Sequence, residues 1–217
     1  MSEFKKRTLT SLVLVSILFL SFIFPLILYI LLFVISLITL DELFKIFKKI
    51  FIKNSFAVFF STFLALIYIC YFALVIILFL NLNFEIHKIK ILFLLSISIS
   101  TDIGGYIFGK IIGGKKVTKI SPNKTYSGII GSFLFSFIVG YLFYNFEKEM
   151  LISNINLFVI IFIISLISQI GDLIVSSLKR KAKIKDTGSF LPGHGGILDR
   201  IDGILLALPI GTLLILN

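Results

Sequence analysis

The sequence predicts an all-α protein that crosses a membrane several times, and three observations carry that expectation. Mean hydropathy is +1.11 and 58% of the 217 residues are hydrophobic, while only 15% are charged. A soluble domain of this size needs roughly 25% charged residues to clothe its surface. The apolar residues fall in runs near the ~20 residues that a helix needs to cross the hydrocarbon core. The cations sort between alternate loops, as the positive-inside bias requires.

Seven spans are expected, at about 8–24, 26–40, 56–81, 90–109, 127–145, 156–178 and 199–216. The opening Lys5-Lys6-Arg7 and the apolar run after it resemble a signal peptide. No A-x-A cleavage site follows, and further spans come directly after, so an uncleaved first span is the expectation. Pro25 separates the first two spans and predicts a tight helical hairpin. The 56–81 run is long enough to tilt. The fourth run carries Asp102, Gly104, Gly105 and Gly109, so it is expected to break or end early. Residues 41–54, 110–126 and 179–198 read as polar linkers. Cys70, within an apolar run, reads as a small buried residue and has no partner for a disulfide. Residues 1–217 read as a single membrane domain, with N-terminal spans over 1–89 and a catalytic core over 90–217.

With the N-terminus inside, 18 of the 21 cations lie in inside segments; only Lys88, Lys90 and Lys148 lie outside. This places the N-terminus in the cytoplasm and the C-terminus outside, in a multi-pass protein of the cell membrane. The net charge of +10 is then directed at anionic lipid headgroups or anionic substrates and not at nucleic acid.

Two polar constellations fall on the cytoplasmic side. Ser176–Asp202 holds six cations, three carboxylates, one histidine and four glycines in 27 residues. A dense polar block beside apolar spans is a functional site by default. Cations contact phosphates, carboxylates hold hard metal ions, and glycines admit a ligand close to the backbone. Upstream, Asp172, Ser176, Lys179 and Arg180 fall at i, i+4, i+7 and i+8 of a helix, on one face. Downstream, Asp199 and Asp202 open the last span at i and i+3, with Arg200 between them. Asp172, Asp199 and Asp202 are therefore expected to hold one or two Mg²⁺ ions. The blander readings make Asp199 a helix cap, His194 a turn residue, and Lys181 and Lys183 mere positive-inside charge. The second constellation, Thr101–Ser132, contains Asp102 beside paired glycines and the loop Ser121-Pro122-Asn123-Lys124-Thr125 before a helix start, a natural anion site. Gly109–Gly113 offers a weak G-x-x-x-G packing signal. Tyr106 and Tyr126 read as interfacial packing residues, and neither a nucleophilic triad, a zinc pattern nor a Walker loop is present.

The run S-x-L-K-R-x4-K-D-x-G-x2-L-P-G-H-G-G-x2-D-R-x-D, from Ser176 to Asp202, resembles the signature of phosphatidate cytidylyltransferases, also called CDP-diacylglycerol synthases. The segments D-x-G-x-Y-x2-G (Asp102 to Gly109) and S-P-x-K-T (Ser121 to Thr125) are also similar to that family, over roughly 100–203 in all. Tyr126-Ser127-Gly128 stands where many members have Trp-Glu-Gly. The resemblance implies an enzyme that condenses CTP with phosphatidic acid, drawn from membrane lipid, to give CDP-diacylglycerol and pyrophosphate. It also implies dependence on Mg²⁺ and a homodimer. The residues it points to for the chemistry are Lys179, Arg180, Lys185, Asp186, Asp199 and Arg200. For substrate binding they are Asp102, Ser121, Lys124, Thr125, Ser176, His194, Gly195 and Gly196. The nucleophile is an already ionised phosphate, so positioning and charge neutralisation carry the catalysis.

A CTP-dependent polyprenol or phytol kinase is the competing enzyme reading; its signature lacks the long K-D…H-G-G-x2-D-R-x-D run. An ion-coupled transporter competes from another class but would place its carboxylates near the bilayer midplane. Reporter fusions at the two ends test the topology: the N-terminus reads cytoplasmic and the C-terminus external, and a cytoplasmic C-terminal signal would break the seven-span arrangement.

Overall fold

A computed structural model describes residues 3–118, 121, 124–147, 155–191 and 195–216, with α1 side chains described at Thr8, Thr10 and from Leu12 onward. The described residues form seven helices: α1 (Glu3–Ile23), α2 (Pro25–Ile50), α3 (Ser55–Leu82), α4 (Phe84–Ile111), α5 (Tyr126–Phe146), α6 (Leu157–Lys181) and α7 (Leu198–Leu214). Five of them, α2 to α6, are long and apolar enough to cross a membrane. The apolar part of α1 covers Leu12–Ile23, and α7 has 17 residues, about 25 Å at 1.5 Å per residue.

Local chemistry sets the ends. Pro25 sits at the first position of α2, where its missing N–H leaves nothing unsatisfied, so only Phe24 separates α1 from α2. Asn54 and Asn83 accept from Ala57 N (2.9 Å) and Ile86 N (3.3 Å) and start α3 and α4. Thr125 caps α5 by accepting from Gly128 N at 3.1 Å.

Three sequence expectations need correction. The 41–54 linker is mostly helix, because α2 runs on to Ile50. Thr39, Glu42 and Ile46 are buried at helical spacing, and Asp41 pairs with Lys45 one turn on. The fourth span neither breaks nor ends early: α4 is continuous from Phe84 to Ile111 through Asp102 and all three glycines. It also begins before the predicted residue 90, so Lys88 and Lys90 are helical, and buried Lys90 donates to Ile215 O at 2.9 Å. Cys70 is exposed and not buried, since α3 is apolar on all faces and its hydropathy does not select an inward one.

The chain forms two compact units, Met1–Ile77 with Leu178–Ile201, and Leu78–Ser177 with Asp202–Asn217. In the second unit small residues let the helices touch. A Cβ at Gly104 would meet Gly131 O at 2.5 Å and Phe135 Cβ at 2.6 Å; one at Gly128 would meet Gly105 O at 2.9 Å. Where α6 meets α7, a Cβ at Gly171 would lie 2.5 Å from Asp202 O, and one at Gly203 would strike the Ser168 hydroxyl. Such approach is how apolar helices associate without a hydrophobic driving force. Buried hydroxyls tie the same crossings: Ser132 donates to Thr101 O (2.8 Å) and Thr101 to Ser165 Oγ (2.9 Å). The Gly109–Gly113 pair is not the packing motif, because α4 stops at Ile111 and Gly113 has open space around it.

Gly104→Ala pushes a methyl into the α5 backbone and should destabilise by about 1–3 kcal/mol, seen as a lower unfolding temperature in detergent. Ile130→Ala, at a 60% exposed α5 position, should shift stability by less than about 0.5 kcal/mol. Equal effects from both would remove the close-approach argument.

Candidate functional site

Within the second unit, α4, α5, α6, α7 and the turn before α5 line a half-open cavity of about 290 Å³. Asp102 and Tyr106 reach it from α4, Lys124 and Thr125 from the turn before α5, Gln169 and Asp172 from α6, and Asp202 from α7. Three carboxylates and one ammonium leave a formal excess of two negative charges in its wall. Lys124 pairs with Asp172 Oδ2 at 2.5 Å and approaches Gln169 O at 3.5 Å. Ser176 donates to Asp172 Oδ1 at 3.1 Å, and Asp202 lies against Asp172. Gly203 N donates to Asp202 Oδ1 at 2.8 Å. The Gln169 side-chain nitrogen, in the same wall, is buried without a hydrogen-bond partner. A buried donor without an acceptor costs about 1–3 kcal/mol, so an acceptor brought by a ligand would relieve it.

The turn leading into this cavity folds back on itself. Val117 N donates to Lys124 O (2.9 Å), Tyr126 N to Lys115 O (3.2 Å), and Ser127 Oγ to Gly113 O. Gly113 and Gly114 have φ of +65° and +109°, which side-chain-bearing residues adopt only under strain. These bonds hold Lys124 and Thr125 at the start of α5. Ser121 supports them, accepting from Lys124 N at 3.0 Å and donating its own N–H to Thr118 Oγ1.

The signature segment forms a second cluster, within the first unit. Asp199, in the first turn of α7, takes Lys179 Nζ on Oδ1 at 2.7 Å. Its Oδ2 takes Thr187 N (2.8 Å), Thr187 Oγ1 (3.0 Å) and Gly196 N (3.2 Å). Behind it lies Glu42 of α2, 3% exposed. Glu42 accepts from Ile197 N (3.0 Å), Leu198 N (2.9 Å) and Thr187 Oγ1 (2.8 Å). A carboxylate there satisfies N–H groups that the first turn of a helix leaves free. Gly195 takes φ +83°, and its carbonyl receives Leu191 N at 3.0 Å. A Cβ at Gly196 would run into Glu42 at 2.6 Å.

The sequence-predicted residues thus divide between two surroundings. Asp102, Lys124, Thr125, Asp172 and Asp202 line one cavity, and Ser176 braces Asp172. Lys179, Asp199, Gly195 and Gly196 belong to the signature cluster, while Arg180, Lys185, Asp186 and Arg200 are exposed in the same unit. His194, Pro192 and Gly193 lie outside the described residues, as do Lys119, Pro122, Asn123 and Lys148. Asp199, expected among the metal ligands, has both oxygens engaged by lysine, amide and hydroxyl donors. Among the described residues, no group of three His, Cys, Asp or Glu stands ready to hold a metal ion. Tyr106 lines the cavity and is 66% exposed, as an interfacial residue can be; its hydroxyl also receives Lys110 Nζ at 3.3 Å.

Sequence reasoning missed Glu42, Thr187 and Gln169. An ionisable residue in an apolar helix is itself a signal, but Glu42 stands beside Asp41 and near four lysines, and that company reads as a loop. Gln169 is the polar neighbour of Asp172 in an otherwise apolar stretch, and the same rule reaches it.

Residues 48–216 match the Cytidylyltransferase family. The chain is 40% identical over 121 residues to phosphatidate cytidylyltransferase of Staphylococcus aureus (strain COL), covering 54% of this chain and 45% of that protein. It is 40% identical over 118 residues to the Staphylococcus saprophyticus protein of that name, with the same coverage. It is 41% identical over 117 residues to the Rickettsia bellii one, covering 51% of each. The chain spans about half the length of the curated relatives it matches. With more than three quarters of its residues inside the family match, and the family's long polar signature folded round Asp199, the chain belongs to the cytidylyltransferase family.

Proposed function

We propose that this protein transfers the cytidylyl group of CTP to phosphatidic acid, giving CDP-diacylglycerol and pyrophosphate. The observation that carries the reading is the carboxylate-lined cavity of the second unit, in a chain whose relatives bear the name phosphatidate cytidylyltransferase. A phosphate oxygen of the lipid attacks the α-phosphorus of CTP, the bond to the β-phosphate oxygen breaks, and pyrophosphate carries away the electron pair. The attacking oxygen is already ionised, so no general base is required.

A wall of three aspartates repels phosphate unless a cation stands between them. The donor set fits Mg²⁺: all-oxygen, with Asp172 and Asp202 adjacent, since Mg²⁺ is commonly bound through one or two carboxylates with substrate phosphates and water completing its shell. Asp172 and Asp202 would hold it, as a pair and not as part of a set of three ligands. Mg²⁺ supplies charge neutralisation and orientation of the phosphate oxygens. The chain's own groups do the rest. Lys124 exchanges its pairing with Asp172 for a phosphate oxygen, Gln169 donates its free amide hydrogen to a substrate oxygen, and Thr125 and the glycines of α4 and α5 leave room for the ligand. Lys179, Arg180, Lys185 and Arg200 are the cations we assign to phosphate grip, and His194, Gly195 and Gly196 the residues that admit nucleotide. We leave Asp199 out of the metal set, because it does not line the cavity and its oxygens accept backbone amides of the signature segment.

The proposal includes a seven-crossing topology in the cell membrane, with the active face toward the cytoplasm where CTP is made, and a homodimer. Acyl chains then stay in the bilayer while the phosphates react at its surface. An ion-coupled transporter leaves the signature cations without a task.

Incubating the purified protein with labelled CTP, phosphatidic acid and Mg²⁺ should yield CDP-diacylglycerol, and excess chelator should abolish it. Transfer of phosphate to a polyprenol would establish the kinase instead, and ion uptake without turnover the transporter. Asp172→Asn and Asp202→Asn should each lower turnover about a hundredfold or more, roughly 2.7 kcal/mol, with the protein still inserted. Lys181→Gln, whose charge serves topology, should change it less than about fivefold. Full activity in chelator, or in either aspartate variant, would remove the metal role.

A further inference from the structure

The first unit contains a carboxylate to which the proposed chemistry gives no task. Glu42 sits on α2, before the start of the family match at residue 48, yet among the described residues its hydrogen-bond donors fall on the signature segment 145 to 156 residues later. It is 3% exposed, and both of its oxygens are occupied. Two of its donors are the consecutive amides that begin α7, Ile197 N and Leu198 N. The third is the Thr187 hydroxyl, which has one hydrogen and two carboxylate acceptors: Glu42 Oε2 at 2.8 Å and Asp199 Oδ2 at 3.0 Å. Asp199 in turn holds Lys179. The glycines are cut to this carboxylate as well, since a Cβ at Gly188 or at Gly196 would meet Glu42 Oε1 at 2.6 Å.

We propose that Glu42 is a positioning residue for the signature segment, setting the start of α7 directly and the orientation of Asp199 and Lys179 through the Thr187 hydroxyl. The inference rests on the cytidylyltransferase reading for its catalytic consequence but not for its structural one. It makes α2 part of the catalytic apparatus and not only an anchor. A carboxylate is the group the position requires: two parallel N–H donors and one hydroxyl need an acceptor that offers lone pairs on two oxygens at once. Glutamine keeps the size but turns an N–H donor toward one of those donors. Burial makes that mismatch costly, because no water replaces the lost partner.

The test uses the full chain in lipid nanodiscs and two readouts. Hydrogen exchange over the peptides spanning 184–201 should speed up about tenfold or more in Glu42→Gln, with exchange in α4, α5 and α6 unchanged. Turnover should fall about tenfold or more while KM for CTP changes less than about threefold, because misorientation of cationic groups weakens the transition state more than ground-state binding. Thr187→Val removes the hydroxyl link without touching the amides; it should lower turnover by a smaller factor, and the double variant should be no worse than Glu42→Gln alone. Unchanged exchange at 184–201 in Glu42→Gln overturns the proposal. So does a uniform rise in exchange across both units with a parallel loss of folded protein, if Thr187→Val then keeps full turnover. A wild-type chain that makes no CDP-diacylglycerol overturns the functional reading instead, and the exchange experiment still decides whether Glu42 holds the segment.

Discussion

Carboxylates placed in an apolar helical chain must find their donors inside the protein, and the arrangement of this molecule follows from how each one does. Glu42 is satisfied by the amides at the head of α7. Asp199 is satisfied by a lysine, two amides and a hydroxyl. Asp172 has Lys124 and Ser176. Asp102 and Asp202 lack an ion pair among the described contacts, and both face the same cavity as Asp172. The contrast separates two uses of one residue type. Glu42 and Asp199 accept from backbone amides and hold the signature segment in place, whereas Asp102, Asp172 and Asp202 line a cavity, where a lysine and a hydroxyl are the partners of Asp172. The same accounting makes the buried, unpartnered amide of Gln169 informative: it is a donor standing among acceptors that do not reach it.

Small residues make the cavity possible. Gly104, Gly105 and Gly109 on α4 face Gly128, Gly131 and Ser132 on α5, and the helices come close enough for backbone to touch backbone. Gly171 and Gly203 do the same for α6 and α7. Where the backbones meet, side chains on either side of the contact are brought to one depth. This is how Asp102, Asp172 and Asp202, separated by 70 and 30 residues of chain, come to share a wall. Residues that look like helix breakers in a soluble sequence are here the contact surface, which is why α4 runs through them unbroken.

The division into two compact units puts the signature segment 178–201 with the N-terminal helices and the carboxylate cavity with α4 to α7. Both α6 and α7 pass from one unit into the other along the chain. The family signature is therefore a linear run that serves two bodies: its middle, from Lys179 to Asp199, is held by α2, and its last aspartate lines the cavity. The signature alone does not display this, because its spacing is set by sequence while its partners are set by packing.

Several things were legible in the sequence. Hydropathy located each of the seven helices to within a few residues at most ends, since long unbroken apolar runs satisfy their backbone groups within a helix. Pro25 marked the first break, because its ring fixes the entry to α2. The long polar run from Ser176 to Asp202 identified the family by residue type and spacing alone. Orientation of side chains was not legible. Hydropathy reports that α3 is apolar but not which face turns inward, so Cys70 was misplaced. It reports that 41–54 is polar but not that Glu42 lies at helical spacing with Thr39 and Ile46 on a buried stripe. Helical periodicity did put Asp199 and Asp202 on one helix three residues apart, yet which groups surround each depends on what the neighbouring helices present. The contact between residues 42 and 198, and the shared wall of 102 and 202, are made by the fold and have no trace in local pattern; the tertiary structure alone decided which carboxylates accept the backbone of the signature segment and which line the cavity, because those partners lie far apart in the chain.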